Sequence, residues 1–258
     1  MRGSYGPIRV EREGDVALVT LDRPAQRNAM DKPMRDGLTA LWTDLAEAEE
    51  VETVVLTGAG VAFCAGGDIA AMAARIDTAA GLEHSFRMPS AQLRLLRRML
   101  DVEQPIVVAA QGDAVGLGAT IALFADIVVI AETARFGDAH VNIGLAAGDG
   151  SAVVWPLILG PLLAKEFLMT GRLITGREAV ALRLANHAVP AAAVLPHALD
   201  IARRLAAGPR WATRWTKAAV NKQLRRQLDE ILDGAAAFEA LSMHTPAHKQ
   251  AVRDFLKR

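Results

Sequence analysis

The segment "ARFGDAHVNIGLAAGDG", residues 134–150, carries one histidine and two aspartates between glycine-bracketed turns. Histidine titrates near neutrality, so His140 can act as a general acid or base under ordinary conditions. Asp149 lies further along the same segment. It has two readings: a carboxylate that shares proton transfer with His140, or the N-cap of a helix opening at Ser151. Asp138 reads as a turn residue. The segment has no glutamate.

Two glycine turns offer a complementary chemistry. "FCAGGDIA" (63–70) and "QGDAVGLGATIALFAD" (111–126) each follow a strand-like run and each open a helical pattern. Backbone N–H groups at such a start are unpaired and aimed together, which suits an anion or a developing oxyanion. Neither turn completes a dinucleotide fingerprint, because Ile121 stands where the third glycine is required, and no Gly-Lys-Ser/Thr follows either. Two amides converging on one carbonyl oxygen would use both turns. Close helix–strand packing would use neither.

The elements that must position these groups alternate. "DVALVTLDRP" (15–24), "VETVVLTGAG" (51–60), "QPIVVAAQG" (104–112) and "DIVVIAE" (126–132) read as strands, and helical segments separate them. Short apolar runs between helices predict parallel strands covered on both faces, so the fold class is α/β. Asp31 is a candidate N-cap, with Pro33 in the first turn and Met34, Leu38, Leu41, Trp42 and Leu45 at helical spacing. After about residue 160 the pattern predicts helices alone. Leu224, Leu228, Ile231 and Leu232 form a stripe that reads as core or as a subunit contact.

Composition bounds the rest. The chain has 258 residues, is 52% hydrophobic and carries 29 basic and 29 acidic residues. Zero net charge argues against a nucleic-acid surface. Cys64 is the single cysteine, so no disulfide framework forms, and it reads as a small buried hydrophobe. The polar start lacks a signal-peptide core, and no apolar run is read as reaching a membrane span. A cytoplasmic protein without membrane contact is the expectation. No metal site is predicted; Pro246 between His244 and His248 argues against a shared helix face.

"LDRPAQRNAM", "GAGVAFCAGGDI", the run from "PIVVAAQGDAVGLGATI" to "ARFGDAHVNIGL", and "AKEFLMTGRLITGREAVALRLANHAVP" resemble the crotonase superfamily, the enoyl-CoA hydratase/isomerase family, over nearly the whole chain. The resemblance implies a ββα spiral core, placed at residues 1–195, and a C-terminal helical trimerisation region at 196–258, assembled as a homotrimer or dimer of trimers. It implies an acyl-CoA or enoyl-CoA substrate, fatty-acid chemistry, and no tightly bound cofactor beyond the coenzyme A of the substrate. By motif match the two oxyanion amides fall on Gly67 and Leu117, where the family usually has glycine at the second position. Ala25, Gln26 and Arg27, then Ala65, Asp68 and Ile69, match segments along coenzyme A. Gly116 matches the turn before the second amide, and Asp68 also reads as a helix cap. Ala70 replaces a lysine found near coenzyme A in many hydratases. Phe238 and Lys249 match positions near the acyl end and a neighbouring subunit's coenzyme A. Typical hydratases use two glutamates at positions matching Thr120 and His140. The expected activity is therefore hydration or isomerisation with His140, aided by Asp149 and Thr120. The alternatives are C–C cleavage, thioester hydrolysis, or a coenzyme A-binding homologue without catalysis.

Overall fold

The computed structural model describes residues 4–257. It opens with a hairpin, β1 (Ile8–Glu13) antiparallel to β2 (Val16–Leu21). Helix α1 (Lys32–Ala46) begins where the sequence predicts, with the Met34 amide donating to Asp31 Oδ1 at 2.9 Å. Its face of Met34, Leu38, Leu41, Trp42 and Leu45 is fully buried. Each such side chain contributes about 1.5–3 kcal/mol of transfer free energy.

The chain then repeats one step. A strand enters a large sheet, a three-residue strand enters a small one, and helix returns. The first step is β3 (Thr53–Gly58), β4 (Ala62–Cys64), α2 (Ile69–Ala73) and α3 (Ala79–Asp101). The second is β5 (Ile106–Ala110), β6 (Asp113–Val115) and α4 (Leu117–Phe124). The third is β7 (Ile127–Ala131), β8 (Arg135–Gly137) and α5 (Ser151–Thr170). There follow β9 (Ile174–Thr175), α6 (Gly176–Ala181), β10 (His187–Val189), α7 (Ala191–Ala206), α8 (Arg210–Ser242) and α9 (Pro246–Phe255). The large sheet runs β1-β2-β3-β5-β7-β10 and the small one β4-β6-β8-β9. β2, β3, β5, β7 and β10 are mutually parallel, as are β4, β6 and β8. This α/β spiral matches the expected fold class.

Three expectations need correction. Strands do not stop at residue 160: β10 pairs with β7, with His187 opposite Val129. The division at 195/196 falls inside α7, which packs on β3, β5 and β7 and so covers the large sheet. And α5 does reach membrane-span length and composition, with 20 residues at mean hydropathy 1.6. It breaks at Gly160 (φ 75°, ψ 161°) and packs on α4 and α8, with Trp155 against Phe167 at 5.5 Å. The α8 stripe resolves as core: Leu228 and Leu232 are fully buried, and α8 lies along α3 and α5.

Candidate active site

The carboxyl ends of β4, β6 and β8 lie side by side, because Cys64 pairs with Ala114 and Val115 with Gly137. The residues that follow each strand therefore converge. They are Gly66-Gly67, Gly116-Leu117 and Asp138-Ala139-His140. Ligand sites in α/β sheets form at strand carboxyl ends for this reason.

Backbone geometry fixes the two amides. Gly116 adopts φ 55°, ψ −124°, a region reserved for glycine, and so turns the chain to start α4 at Leu117. Gly66 has φ 90°, and a Cβ there would lie 2.8 Å from the Val115 carbonyl, so the two loops press together. Gly67 bridges Met30 through its neighbours: Met30 N donates to Gly66 O and Asp68 N donates to Met30 O. That pattern turns the Gly67 N–H away from Met30. Among the described residues neither the Gly67 nor the Leu117 amide has a hydrogen-bond acceptor. Both residues line a cavity of about 380 Å³ that also reaches His140, Asp149 and Glu239.

His140 stands against the second loop; its Cε1 lies 3.5 Å from the point where a Gly116 Cβ would sit. Its side chain is only 10% exposed. Nδ1 lies 2.9 and 3.0 Å from the two Asp138 oxygens, and the His140 amide donates to Asp138 Oδ1. Asp138 is thus a buried orienting partner of His140 rather than only a turn residue. Nε2 faces Asp149 Oδ2 at 3.5 Å and Glu239 Oε1 at 3.8 Å. Asp149 is not the N-cap of α5, a position that Gly150 takes, although its side chain does bind the first turn. Oδ1 accepts from Ser151 N, Ser151 Oγ and Thr120 Oγ1 at the start of α5, while Oδ2 is buried without a hydrogen bond. Thr120 is buried and holds Asp149.

Glu239 is the residue that sequence reasoning missed. It comes from α8, and Gly148 admits it: a Cβ on Gly148 would lie 2.4 Å from Glu239 Cβ and 2.5 Å from the Ala235 carbonyl. Gly144 (φ 69°) likewise admits α9, where a Cβ would meet His248 N at 2.7 Å. A signal was available: Glu239 is the one Asp, Glu, Lys or Arg between Asp233 and Lys249. Its neighbour Phe238, matched to the acyl end, is exposed instead.

Electrostatics divides the cluster. Burial disfavours the His140 cation, but Asp138, Asp149 and Glu239 outweigh it and raise the imidazole well above its ordinary pKa. Burial likewise opposes the Asp138 anion, yet the facing imidazolium and its hydrogen bonds hold that carboxyl below the usual range. Asp149 is raised by burial, with Asp138 adding to it. Burial raises Glu239 to about 7, against the pull of His140. Glu239 therefore titrates where a general acid–base group works best. Asp138, His140 and Asp149 each offer a ligand atom within 4.8 Å of the others. Both carboxylates of this trio are ion-pair partners of the imidazole.

Most of the residues matched to coenzyme A lie outside the cavity lining, but Asp68 and Lys249 line it. A 3-10 turn, Pro24–Gln26, holds Ala25 and Gln26 in the open, and Ala65 N donates to Arg27 O at 3.0 Å. Asn28 locks this turn, accepting from Arg23 N and donating to Ala59 O and Ala62 O. Arg27 is half exposed and already paired to Asp113 at 2.6 Å. Asp68 caps α2 through the Ala71 amide and binds Arg23; Ile69 opens that helix, half-buried. Lys249 pairs with Asp77 at 2.5 Å.

The family model described as enoyl-CoA hydratase/isomerase matches residues 11–258. The crotonyl-CoA hydratase of Syntrophomonas wolfei is 31% identical, over 99% of this chain and 96% of its own. A solved enoyl-CoA hydratase/isomerase from Mycobacterium paratuberculosis is 34% identical with a TM-score of 0.90, covering 96% of this chain and 98% of that one. A β-diketone hydrolase from Anabaena, solved with (S)-3-oxocyclohexyl acetic acid, is 25% identical with a TM-score of 0.84, over 93% and 95% of the two chains. The chain belongs to the enoyl-CoA hydratase/isomerase family of the crotonase superfamily.

Proposed function

We propose that the protein adds water to, or moves the double bond of, an enoyl-CoA thioester, with the enolate oxygen held by the Gly67 and Leu117 amides. The supporting observation is the convergence of these unpaired amides with His140 Nε2, Asp149 Oδ2 and Glu239 Oε1 in one cavity. Glu239 in its ionised form accepts the proton of the attacking water. The imidazolium of His140 donates a proton to the α-carbon, and the two groups then re-equilibrate across their 3.8 Å gap. The proton-transfer role expected of His140, aided by Asp149 and Thr120, is here divided with Glu239: His140 is held charged by Asp138, and Glu239 is the group raised toward neutrality. Loss of one oxyanion donor costs about 3–4 kcal/mol of transition-state stabilisation in comparable sites. Coenzyme A itself is assigned to the surface of Ala25, Gln26, Arg27, Ala65 and Ile69, and the trimeric assembly to exposed apolar side chains of α8 such as Phe238 and Leu241.

The test is turnover of a panel of 2-enoyl-CoAs, followed by loss of the conjugated thioester absorbance. Activity that disappears in both His140→Ala and Glu239→Gln supports the assignment. Undiminished activity in both variants refutes it, and binding of thioesters without any turnover indicates a coenzyme A-binding homologue. A second reading, hydrolytic C–C cleavage of a β-diketone, is favoured by the likeness to the Anabaena hydrolase and by histidine standing where hydratases carry glutamate. A panel of cyclic 1,3-diketones, assayed for acid release, separates the two.

A further inference from the structure

The cavity that holds the reacting cluster is also lined by cations, two of which have no carboxylate within ion-pair distance among the described residues. Among its lining cations, Lys32 is paired with Asp36 and Lys249 with Asp77. Arg35 and Arg75 also line it, and neither has a carboxylate within ion-pair distance among the described residues. Arg35 makes no side-chain hydrogen bond there either, and its Nε is closed off from solvent without an acceptor. Arg75 reaches only His84, with Nη1 3.4 Å from Nε2. Burial and the two arginines push His84 down to about 4, so it is neutral and adds no counter-charge.

The acidic lining residues are committed elsewhere. Asp31 and Asp68 both pair with Arg23, at 3.3 and 3.0 Å. Asp77 holds Lys249, and Asp149 and Glu239 face His140. Arg35 lies within electrostatic reach of Glu239 and Asp149 in the reacting cluster and of Arg75. Four methionines, Met30, Met72, Met88 and Met243, supply an adaptable apolar lining around it. A buried donor left unpaired is costly, and a guanidinium presents a planar fork matched to a carboxylate.

We propose that Arg35 is the receptor for a second carboxylate on the acyl group, so that the preferred substrates are coenzyme A monothioesters of short dicarboxylic acids. This rests on the acyl-CoA reading above. Arg75 adds to the positive field in the same cavity. The apolar methionine lining carries the short methylene spacer between thioester and carboxylate.

The experiment is equilibrium binding by calorimetry, with no turnover required. Butyryl-CoA, glutaryl-CoA and the methyl ester of glutaryl-CoA are compared on the wild-type protein, then on Arg35→Met and Arg35→Lys. A charge-assisted hydrogen bond of this kind corresponds to about 10- to 100-fold in affinity. Glutaryl-CoA is expected to bind tighter than its methyl ester by that factor, and the ratio is expected to collapse in Arg35→Met and to recover in part in Arg35→Lys. Equal wild-type affinity for glutaryl-CoA and its ester overturns the proposal, whatever the variants do. A uniform loss across all three ligands in Arg35→Met also overturns it, because it places Arg35 on coenzyme A itself. If none of the three binds, the acyl-CoA reading fails first, and that result is distinct from the other two.

Discussion

Glu239→Gln separates the protein's stability from its activity. The buried carboxyl is raised from an ordinary 4.5 to about 7, so the folded state holds this proton more tightly than the unfolded state. Ionising it in place then costs about 3 kcal/mol, at 1.36 kcal/mol per pKa unit. The sign follows from proton counts. Between pH 4.5 and 7 the folded chain binds more protons than the unfolded one, so wild-type stability falls as pH rises through that window and levels off above it. Glutamine keeps the shape and cannot ionise. Below pH 4.5 the two proteins should match apart from local packing. Above pH 7 the variant should be the more stable by about 3 kcal/mol, roughly 6–12 °C in melting temperature for a chain of this size. The assay is thermal unfolding at matched protein concentration at pH 4 and pH 8. Activity should move the other way, falling about 10²- to 10⁴-fold with loss of a general acid–base group. A stability difference that does not change between the two pH values would refute the assignment of a raised carboxyl. Retained activity at pH 8 would refute its role.

Asp138→Asn removes the anion against His140 Nδ1, so the imidazole should titrate lower than in the wild type, which NMR of the ring protons measures directly. The wild-type pair is most stable between its two titrations: its contribution is lost as pH falls through the lowered Asp138 value or rises through the raised His140 value. Gly148→Ala drives a Cβ into Glu239 and the Ala235 carbonyl, and should cost about 1–3 kcal/mol in denaturant unfolding while activity falls further than stability accounts for. Burial pushes the Cys64 thiol up to about 12, so the native protein should resist iodoacetamide at pH 8 and react only when unfolded, as mass spectrometry would report.

Some of this was legible in the sequence and some was not, for physical reasons. Helix α1 was readable because a cap, a proline and a helical apolar period agree from Asp31 to Leu45. The glycine turns were readable because glycine is needed where backbone must approach backbone, as at Gly66 and Gly116. Strands β4, β6 and β8 were not, since three residues carry no period, yet they place the whole site. His140 and Asp149 stood out by type and spacing. Their division of charge did not, because it depends on burial and on Glu239 from a distant helix. Arg35 carries no motif or spacing that singles it out in the sequence, and only the cavity brings it to attention.

Gly148 lets α8 lay Glu239 beside His140, and that has a consequence for how the protein is made. Synthesis runs from the amino end, so the spiral with its loops and its histidine leaves the ribosome well before residue 239. Until α8 docks, the cluster lacks the carboxyl tuned to neutrality. The nascent core can fold around its strands while chemically unfinished, and competence arrives as a late event, when the final helices close over it. Without α8 and α9 the molecule would be in that unfinished condition with every residue of the β4-β6-β8 sheet still present.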